Sequence, residues 1–273
     1  MSLLTADNIR EPISGESLSH LDILEVFAEI ESTNSFLLDQ PCPSPGRYRV
    51  ALTEHQTAGR GRMGRSWCSP PASGLCMSMA FTFSSMPENF PSLSLAVGIG
   101  IVQALERFGI RGISVKWPND IVARGGKLGG VLSEVLPANA QGVTVVVGIG
   151  LNIDLENTDT ESRVTSRLGR AVDLASCCDE LPSRSVISAA LIECLFDTMV
   201  RFEADGFSPF YAMWQRYDWL RGLEITIETF DGLVEGVADG IDSDGALLLK
   251  TKGEWRRFTT GSVTLNGQAD GVQ

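Results

Sequence analysis

The chain has 273 residues, 43% of them apolar and 21% charged, and a formal net charge of −12. A chain this long buries roughly three quarters of its unfolded surface with no disulfide or metal to hold it, and its length suits one large domain with a smaller one. So acidic a body repels phosphate polymers, which excludes general nucleic-acid binding short of a segregated basic face, and no apolar run nears the ~20 residues a bilayer span needs.

Residues 1–20 are polar and Ser-rich without a strong period, and we expect an N-terminal tail there. Acids lie among the hydrophobics (Asp7, Glu11, Glu16, Asp22, Glu25) where a signal peptide would carry a basic head and an apolar stretch, so the expected location is cytoplasmic, with no membrane partner. The run Asp22 to Ile30 reads as a strand, and Ser32-Thr33-Asn34-Ser35 suits a helix start before Phe36-Leu37-Leu38. Arg47 to Thr53 and Leu75 to Phe83 alternate as strands, and the stretch between them is expected to lack regular structure. Phe90 to Phe108 has helical spacing, with Pro91 near its start and Gly109 just past its end.

Ile113 to Trp117 and Asp120 to Ala123 read as short strands, and Gly125-Gly126 turns into Lys127 to Val135. The β-branched run Val143 to Ile153 is expected to be a buried central strand. Two amphipathic helices, Ser185 to Phe202 and Pro209 to Leu220, close the main body. Beyond Gly222 four short alternating strands (Glu224 to Phe230, Leu233 to Ile241, Ala246 to Thr251, Trp255 to Thr259) are separated by Asp-Gly and Lys-Gly turns, the cadence of a small antiparallel barrel. The expected organisation is a tail over 1–20, an α+β domain with a mixed sheet and flanking helices over 21–220, and a β-barrel module over 221–266.

Six cysteines (Cys42, Cys68, Cys76, Cys177, Cys178, Cys194) form no Cys-x-x-Cys pair, and His20 and His55 add no zinc spacing. They read as free thiols, mostly buried.

The chemistry-bearing signal begins at Gly59-Arg60-Gly61-Arg62-Met63-Gly64-Arg65. Between Ser44 and Pro70 five arginines (Arg47, Arg49, Arg60, Arg62, Arg65) face the single acid Glu54, a local +4 in an acidic chain. Gly59-x-Gly61-x-x-Gly64 spells a dinucleotide fingerprint, but the preceding strand ends about six residues early and Pro70-Pro71 follows where a helix should open. A P-loop fails too, since Leu128 follows Gly126-Lys127. What remains is a flexible loop whose guanidiniums suit phosphate or carboxylate, or else a solvated or RNA-contacting one.

Lys116-Trp117-Pro118-Asn119-Asp120 reads as a strand end and sharp turn, and Lys127 with Gly129-Gly130 follows. Of only four lysines against 18 arginines, two frame this hairpin. A compact ammonium reaching an anionic oxygen is one reason. Gly148-Ile149-Gly150-Leu151-Asn152 ends the central strand, where the glycines suit either close approach by a ligand or a bulge.

Taken in order, Glu31-Ser32-Thr33-Asn34, Gln56-Thr57-Ala58-Gly59-Arg60-Gly61-Arg62-Met63-Gly64-Arg65-Ser66-Trp67, Lys116-Trp117-Pro118-Asn119-Asp120, Lys127-Leu128-Gly129-Gly130 and Gly148-Ile149-Gly150-Leu151-Asn152 resemble the motif set of biotin protein ligases. The resemblance runs over 21–266 and implies a class II synthetase-like catalytic fold with an SH3-like C-terminal module. It implies that biotin and ATP, with Mg²⁺, give biotinyl-5′-adenylate, and that the biotinyl group then passes to a lysine of the biotin carboxyl carrier protein domain of a biotin-dependent carboxylase.

By the same resemblance Ser32, Thr33, Gln56, Gly59, Arg60, Trp67, Lys127 and Gly130 form the biotin site. Arg62, Arg65, Asn119, Lys127 and Asn152 form the ATP site, and Arg62, Lys127, Arg65, Asp120 and Lys116 carry the catalysis, with Asp120 a contact for Mg²⁺. The chemistry needs such cations, because a carboxylate brought to ~4 Å from a phosphate oxygen is repelled by roughly 4 kcal/mol at an effective dielectric of about 20. Too few residues precede the first strand for a DNA-binding domain, so no DNA partner is expected, and a homodimer is left open. After Asn152 the chain carries Asp154, Glu156, Asp159 and Glu161 and no Trp before Trp214, so adenine must be packed by some other residue than a tryptophan of that segment. The competing readings are a lipoate-type acyl ligase, a non-catalytic biotin-binding module and an RNA-binding protein.

Overall fold

The computed structural model describes residues 3–137, 142–156 and 170–266. A seven-stranded sheet runs in the order β1-β2-β3-β7-β6-β5-β4, built from β1 (Leu21–Ile30), β2 (Tyr48–Gln56), β3 (Gly74–Phe83), β4 (Ile113–Lys116), β5 (Asp120–Ala123), β6 (Gly126–Val135) and β7 (Val143–Asn152). Only β1 and β2 are parallel, so the sheet is mixed. Every residue of β3 is buried, as expected of a central strand covered on both faces.

One face carries α4 (Leu93–Glu106), α5 (Arg184–Asp205) and α6 (Ser208–Tyr217). α4 is buried on nearly every side because small residues let it approach its neighbours: a Cβ on Gly98 would lie 2.9 Å from Val115 and one on Gly100 2.6 Å from Thr198. The other face is covered by α3 (Thr33–Leu38), whose Leu37 packs with Ala51, Ala80 and Val146.

Residues 1–20, expected as a tail, are folded where described. α1 (Ala6–Arg10) and α2 (Gly15–His20) are capped by the side chains of Thr5 and Ser14. Leu4, Ile9 and Ile13 join the main core, and the backbone NH of Leu4 donates to Glu54 Oε1 at 2.7 Å. The segment is too short to show a helical period, which is why its three apolar anchors went unread.

The C-terminal sheet runs in the order β11-β10-β9-β8-β12, from β8 (Glu224–Thr229), β9 (Gly232–Ile241), β10 (Leu247–Thr251), β11 (Glu254–Phe258) and a fifth, unexpected strand β12 (Ser262–Leu265). β12 pairs with β8, Val263 opposite Ile227. Its inner face, with Ile225, Ile227, Leu247, Leu249 and Val263, belongs to the same hydrophobic cluster as the main body, so the two sheets share one core.

Among the described residues no helix is long and apolar enough to cross a membrane. The cysteines are less buried than expected: Cys76 and Cys194 are buried, Cys42, Cys177 and Cys178 are partly covered and Cys68 is exposed. Ile9 is fully buried, so Ile9→Ala should cost about 3 kcal/mol of stability in urea unfolding, whereas a true tail would tolerate it at no cost.

Candidate functional site

The Gly/Arg stretch, expected to be irregular and flexible, is a short folded-back hairpin. Trp67 NH donates to Gly59 O at 2.8 Å and Gly61 NH to Arg65 O at 2.7 Å, with Arg60 bridged to Ser66 and a 3₁₀ turn over Arg62–Gly64 at its tip. Gly64 takes φ +71° there, a conformation glycine adopts without strain. A Cβ on Gly59 would lie 2.3 Å from Trp67 O, so that glycine permits the close pairing that closes the hairpin.

At the hairpin's base the end of β2 meets the start of α3. Ser32 caps α3, its Oγ accepting from Ser35 NH. Gln56 Oε1 accepts from Thr33 NH at 2.9 Å, and Thr33 Oγ1 lies 2.7 Å from Ser78 Oγ. Ser78 in turn donates to Asn34 Oδ1 at 2.6 Å and Asn34 Nδ2 donates to Glu134 Oε2 at 2.8 Å. Glu134 Oε1 pairs with Arg60, which also donates to Ser35 Oγ. Asn34 stood unassigned in its motif, and Ser78 and Glu134 were missed. Their signal was a hydroxyl between two methionines of a buried strand and an acid on a glycine-rich one.

The β4–β5 hairpin sets Lys116 opposite Asp120, and β6 sets Gly130 opposite Asp120 from the other side. Lys127 Nζ reaches Asp120 Oδ1 at 2.7 Å and lies 5.7 Å from the centre of the Trp67 ring, within cation–π range. Lys116 is buried, and its ammonium donates to Val263 O at 2.7 Å, so this lysine of the expected catalytic set ties β12 to the main body. Trp117 Nε1 likewise donates to Gly245 O at 3.1 Å. Asn119 accepts from Arg62 at 3.1 Å and donates to Val131 O at 2.7 Å, which holds Arg62 from the far wall.

The bulge reading of Gly148 and Gly150 fails, and both glycines line the cleft. β7 runs in register with β3 and β6 through both, without a bulge. A Cβ on Gly148 would lie 2.2 Å from Asn34 Oδ1, and one on Gly150 2.3 Å from the Trp67 indole, so these glycines make room for two side chains of the site. Asn152 Nδ2 donates to Val172 O at 3.0 Å and Lys127 O at 3.3 Å, anchoring the turn from which Lys127 projects.

Most of these residues line one cleft of about 460 Å³, with Ser32, Thr33, Gln56, Trp67 and Ile149 toward one part and Gly261–Val263 of the small sheet contributing to its wall, while Gly59, Ser78 and Glu134 stand behind the lining. Among the described residues Arg60, Arg62, Arg65, Lys116 and Lys127 line it against one carboxylate, Asp120. Arg62 and Arg65 have neutral partners, Asn119 and Ser262 (3.1 Å each). Burial pushes the Arg62 guanidinium down from its ordinary value, with Asp120 pulling it back, and arginine stays charged.

The expected local +4 is redistributed in space. Arg47 and Arg49 face Asp22, away from the cleft, and Glu54 is engaged by the buried Arg184 at 2.6 Å. Burial raises the Cys76 thiol to about 11, which keeps it protonated and unsuited to nucleophilic attack. Asp159 and Glu161 lie outside the described residues.

A mixed sheet with a polar, cation-lined cleft beside a small antiparallel module is the architecture of a protein that binds anionic groups. Residues 26–152 match the Biotin/lipoate A/B protein ligase family and residues 222–265 the Biotin protein ligase C terminal domain. The chain is 31% identical over 271 residues to the Biotin–[acetyl-CoA-carboxylase] ligase of Mycobacterium tuberculosis, covering 94% of this chain and 97% of that one. It is 30% identical over 273 residues to the Bifunctional ligase/repressor BirA of Salmonella typhimurium, covering 97% and 79%. A biotin protein ligase from Aquifex aeolicus, solved in complex with biotin and ATP, shares the fold with a TM-score of 0.72 at 24% identity, over 90% of this chain and 98% of that one. The chain belongs to the biotin protein ligase family.

Lys116→Met removes the donor to Val263 O and should cost about 2 kcal/mol for the orphaned carbonyl. Amide hydrogen exchange should then speed up across β12 and β8 while β2 and β3 stay protected.

Proposed function

We infer that this protein is an ATP-dependent biotin ligase that forms biotinyl-5′-adenylate and then transfers the biotinyl group to a lysine of a biotin carboxyl carrier domain. The observation that carries this reading is the company of Arg62 and Arg65: two guanidiniums at the cleft, each bonded to a neutral group. A partly buried cation without a carboxylate partner is stabilised when an anion arrives, and both substrates bring anions.

In this reading the Ser32, Thr33, Gln56 end takes the ureido ring by hydrogen bonds, with Arg60 and Gly130 lining its pocket, Trp67 as an apolar wall and Gly59 behind the lining, where it lets Trp67 approach. The valeryl carboxylate extends toward Lys127 and Arg62, which draw it against the α-phosphate. A carboxylate oxygen attacks α-phosphorus, the bond to the β,γ-diphosphate breaks, and pyrophosphate leaves with the electron pair. Arg62, Arg65 and Lys127 offset the charge gathered in that transition state. Arg65 must release Ser262 to reach the phosphates, which couples the small sheet to nucleotide binding. Asn119 and Asn152 hold Arg62 and Lys127 in place.

The donor set does not make a resident Mg²⁺ site. Among the described residues Asp120 is the one carboxylate lining the cleft, its Oδ1 bonded to Lys127 and its Oδ2 3.9 Å from Lys116, and no cluster of three or more His, Cys, Asp or Glu side chains occurs. Mg²⁺ therefore enters as the counter-ion of ATP. In the second step the carrier amine attacks the acyl carbonyl and AMP leaves with the phosphate oxygen. Orientation and desolvation of that amine supply most of what the step needs.

Incubation with biotin, ATP and Mg²⁺ should release pyrophosphate, and omission of biotin should abolish it; no release with biotin, or equal release with lipoate, sinks the reading. Arg62→Ala and Lys127→Ala should each lower the rate of adenylate formation roughly a hundredfold or more, about 3 kcal/mol of transition-state stabilisation. Their melting temperatures should stay near the parent's, because neither side chain belongs to the core. A large drop in melting temperature would assign them a structural role instead.

A further inference from the structure

The chain of hydrogen bonds behind the ring-binding end has a direction, and one residue outside the cleft sets it. Glu134 lies on β6 and is absent from the cleft lining. Its two carboxylate oxygens serve two donors, Arg60 through Oε1 and Asn34 Nδ2 through Oε2. A carboxylate only accepts, so Asn34 must turn its amide nitrogen to Glu134 and its Oδ1 the other way. Leu132 O, 3.4 Å from the same nitrogen, favours the same orientation.

Ser78 Oγ then has no choice. It is fully buried and 2.6 Å from Asn34 Oδ1, so its single proton is committed to that oxygen. The contact of 2.7 Å between Ser78 Oγ and Thr33 Oγ1 can be made only if Thr33 supplies the proton, which the shorter distance favours over the 3.2 Å contact in which Thr33 Oγ1 would donate to Gln56 Oε1, an oxygen that already accepts from Thr33 NH. With its own proton turned inward, Thr33 Oγ1 offers lone pairs to the cleft and acts there as an acceptor.

We propose that Glu134 is a positioning residue for substrate recognition: through Asn34 and Ser78 it fixes Thr33 Oγ1 as a hydrogen-bond acceptor for a ligand N–H, and through Arg60 it anchors the hairpin above it. The proposal rests on the biotin reading, since a ureido N–H is the donor such an oxygen would meet. A glutamine at 134 fits the space but brings one acceptor to two donors, so either Arg60 or Asn34 loses its partner. Ser78→Ala is the complementary change. It breaks the relay between Asn34 and Thr33 and leaves Arg60 paired.

Steady-state pyrophosphate release on the full chain, with biotin and ATP varied separately, tests this. In Glu134→Gln and in Ser78→Ala the KM for biotin should rise roughly tenfold or more, while the KM for ATP and kcat stay within about twofold. Glu134→Asp, which keeps an acceptor-only group, should recover part of the biotin affinity. An unchanged KM for biotin in either variant overturns the relay, as does a parallel rise of both KM values with a lowered melting temperature, which marks a merely structural role. If the parent chain itself releases no pyrophosphate with biotin, the underlying functional reading has failed; a working parent with unaffected variants removes only the role of Glu134.

Discussion

Gathering like charges in one place costs free energy, and the cost rises as water is excluded. Among the described residues the cleft gathers five cationic side chains around a single lining carboxylate, so the surrounding structure must hold them in place without neutralising them all. Each is restrained differently. Lys127 is drawn to Asp120, Arg60 to Glu134, Lys116 to a backbone carbonyl, and Arg62 and Arg65 to neutral polar side chains. The last two keep the largest unspent attraction for an anion. The folded protein thus holds, before any ligand arrives, electrostatic stabilisation for anionic groups entering the cleft.

Because the cations come from separate elements, their arrangement depends on how those elements pack. The hairpin bearing Arg60, Arg62 and Arg65 closes only because Gly59 lets Trp67 approach, and Trp67 fits only because Gly150 leaves room for its ring. β12 reaches the cleft through Lys116 and Arg65, and its Val263 sits in the same core as the large sheet. The small sheet is therefore part of the cleft's wall, and a change in its seating moves Lys116 and Arg65.

The five motifs were legible because each combines residue types that a plain core or turn does not need: clustered arginines in an acidic chain, two of four lysines about one hairpin, and paired glycines at a strand end. The main elements were legible from alternation and helical spacing. Other features were hidden for identifiable reasons. Residues 4–20 bury three apolar side chains over helices of five and six residues, too short for a period to emerge. β12 spans four residues with a single fully apolar inward position, Val263, flanked by hydroxyls, and resembles a loop until β8 is beside it. Glu134 and Ser78 look like ordinary strand residues until Asn34, about 100 and 44 positions away in the chain, joins them.

The amino-acid order by itself determined the α+β class, the antiparallel C-terminal module and the identity of the cation-bearing segments, since these follow from local periodicity, turn chemistry and charge. Only the tertiary structure decided which of those cations stay available. Arg47 and Arg49 are turned to Asp22 and Lys116 is spent on Val263, while Arg62 and Arg65 meet neutral groups. Hydrogen bonds and ion pairs act over a few ångströms of space, and sheet pairing brings together residues far apart in the chain, so the distribution of charge along the sequence does not fix the charge a ligand meets.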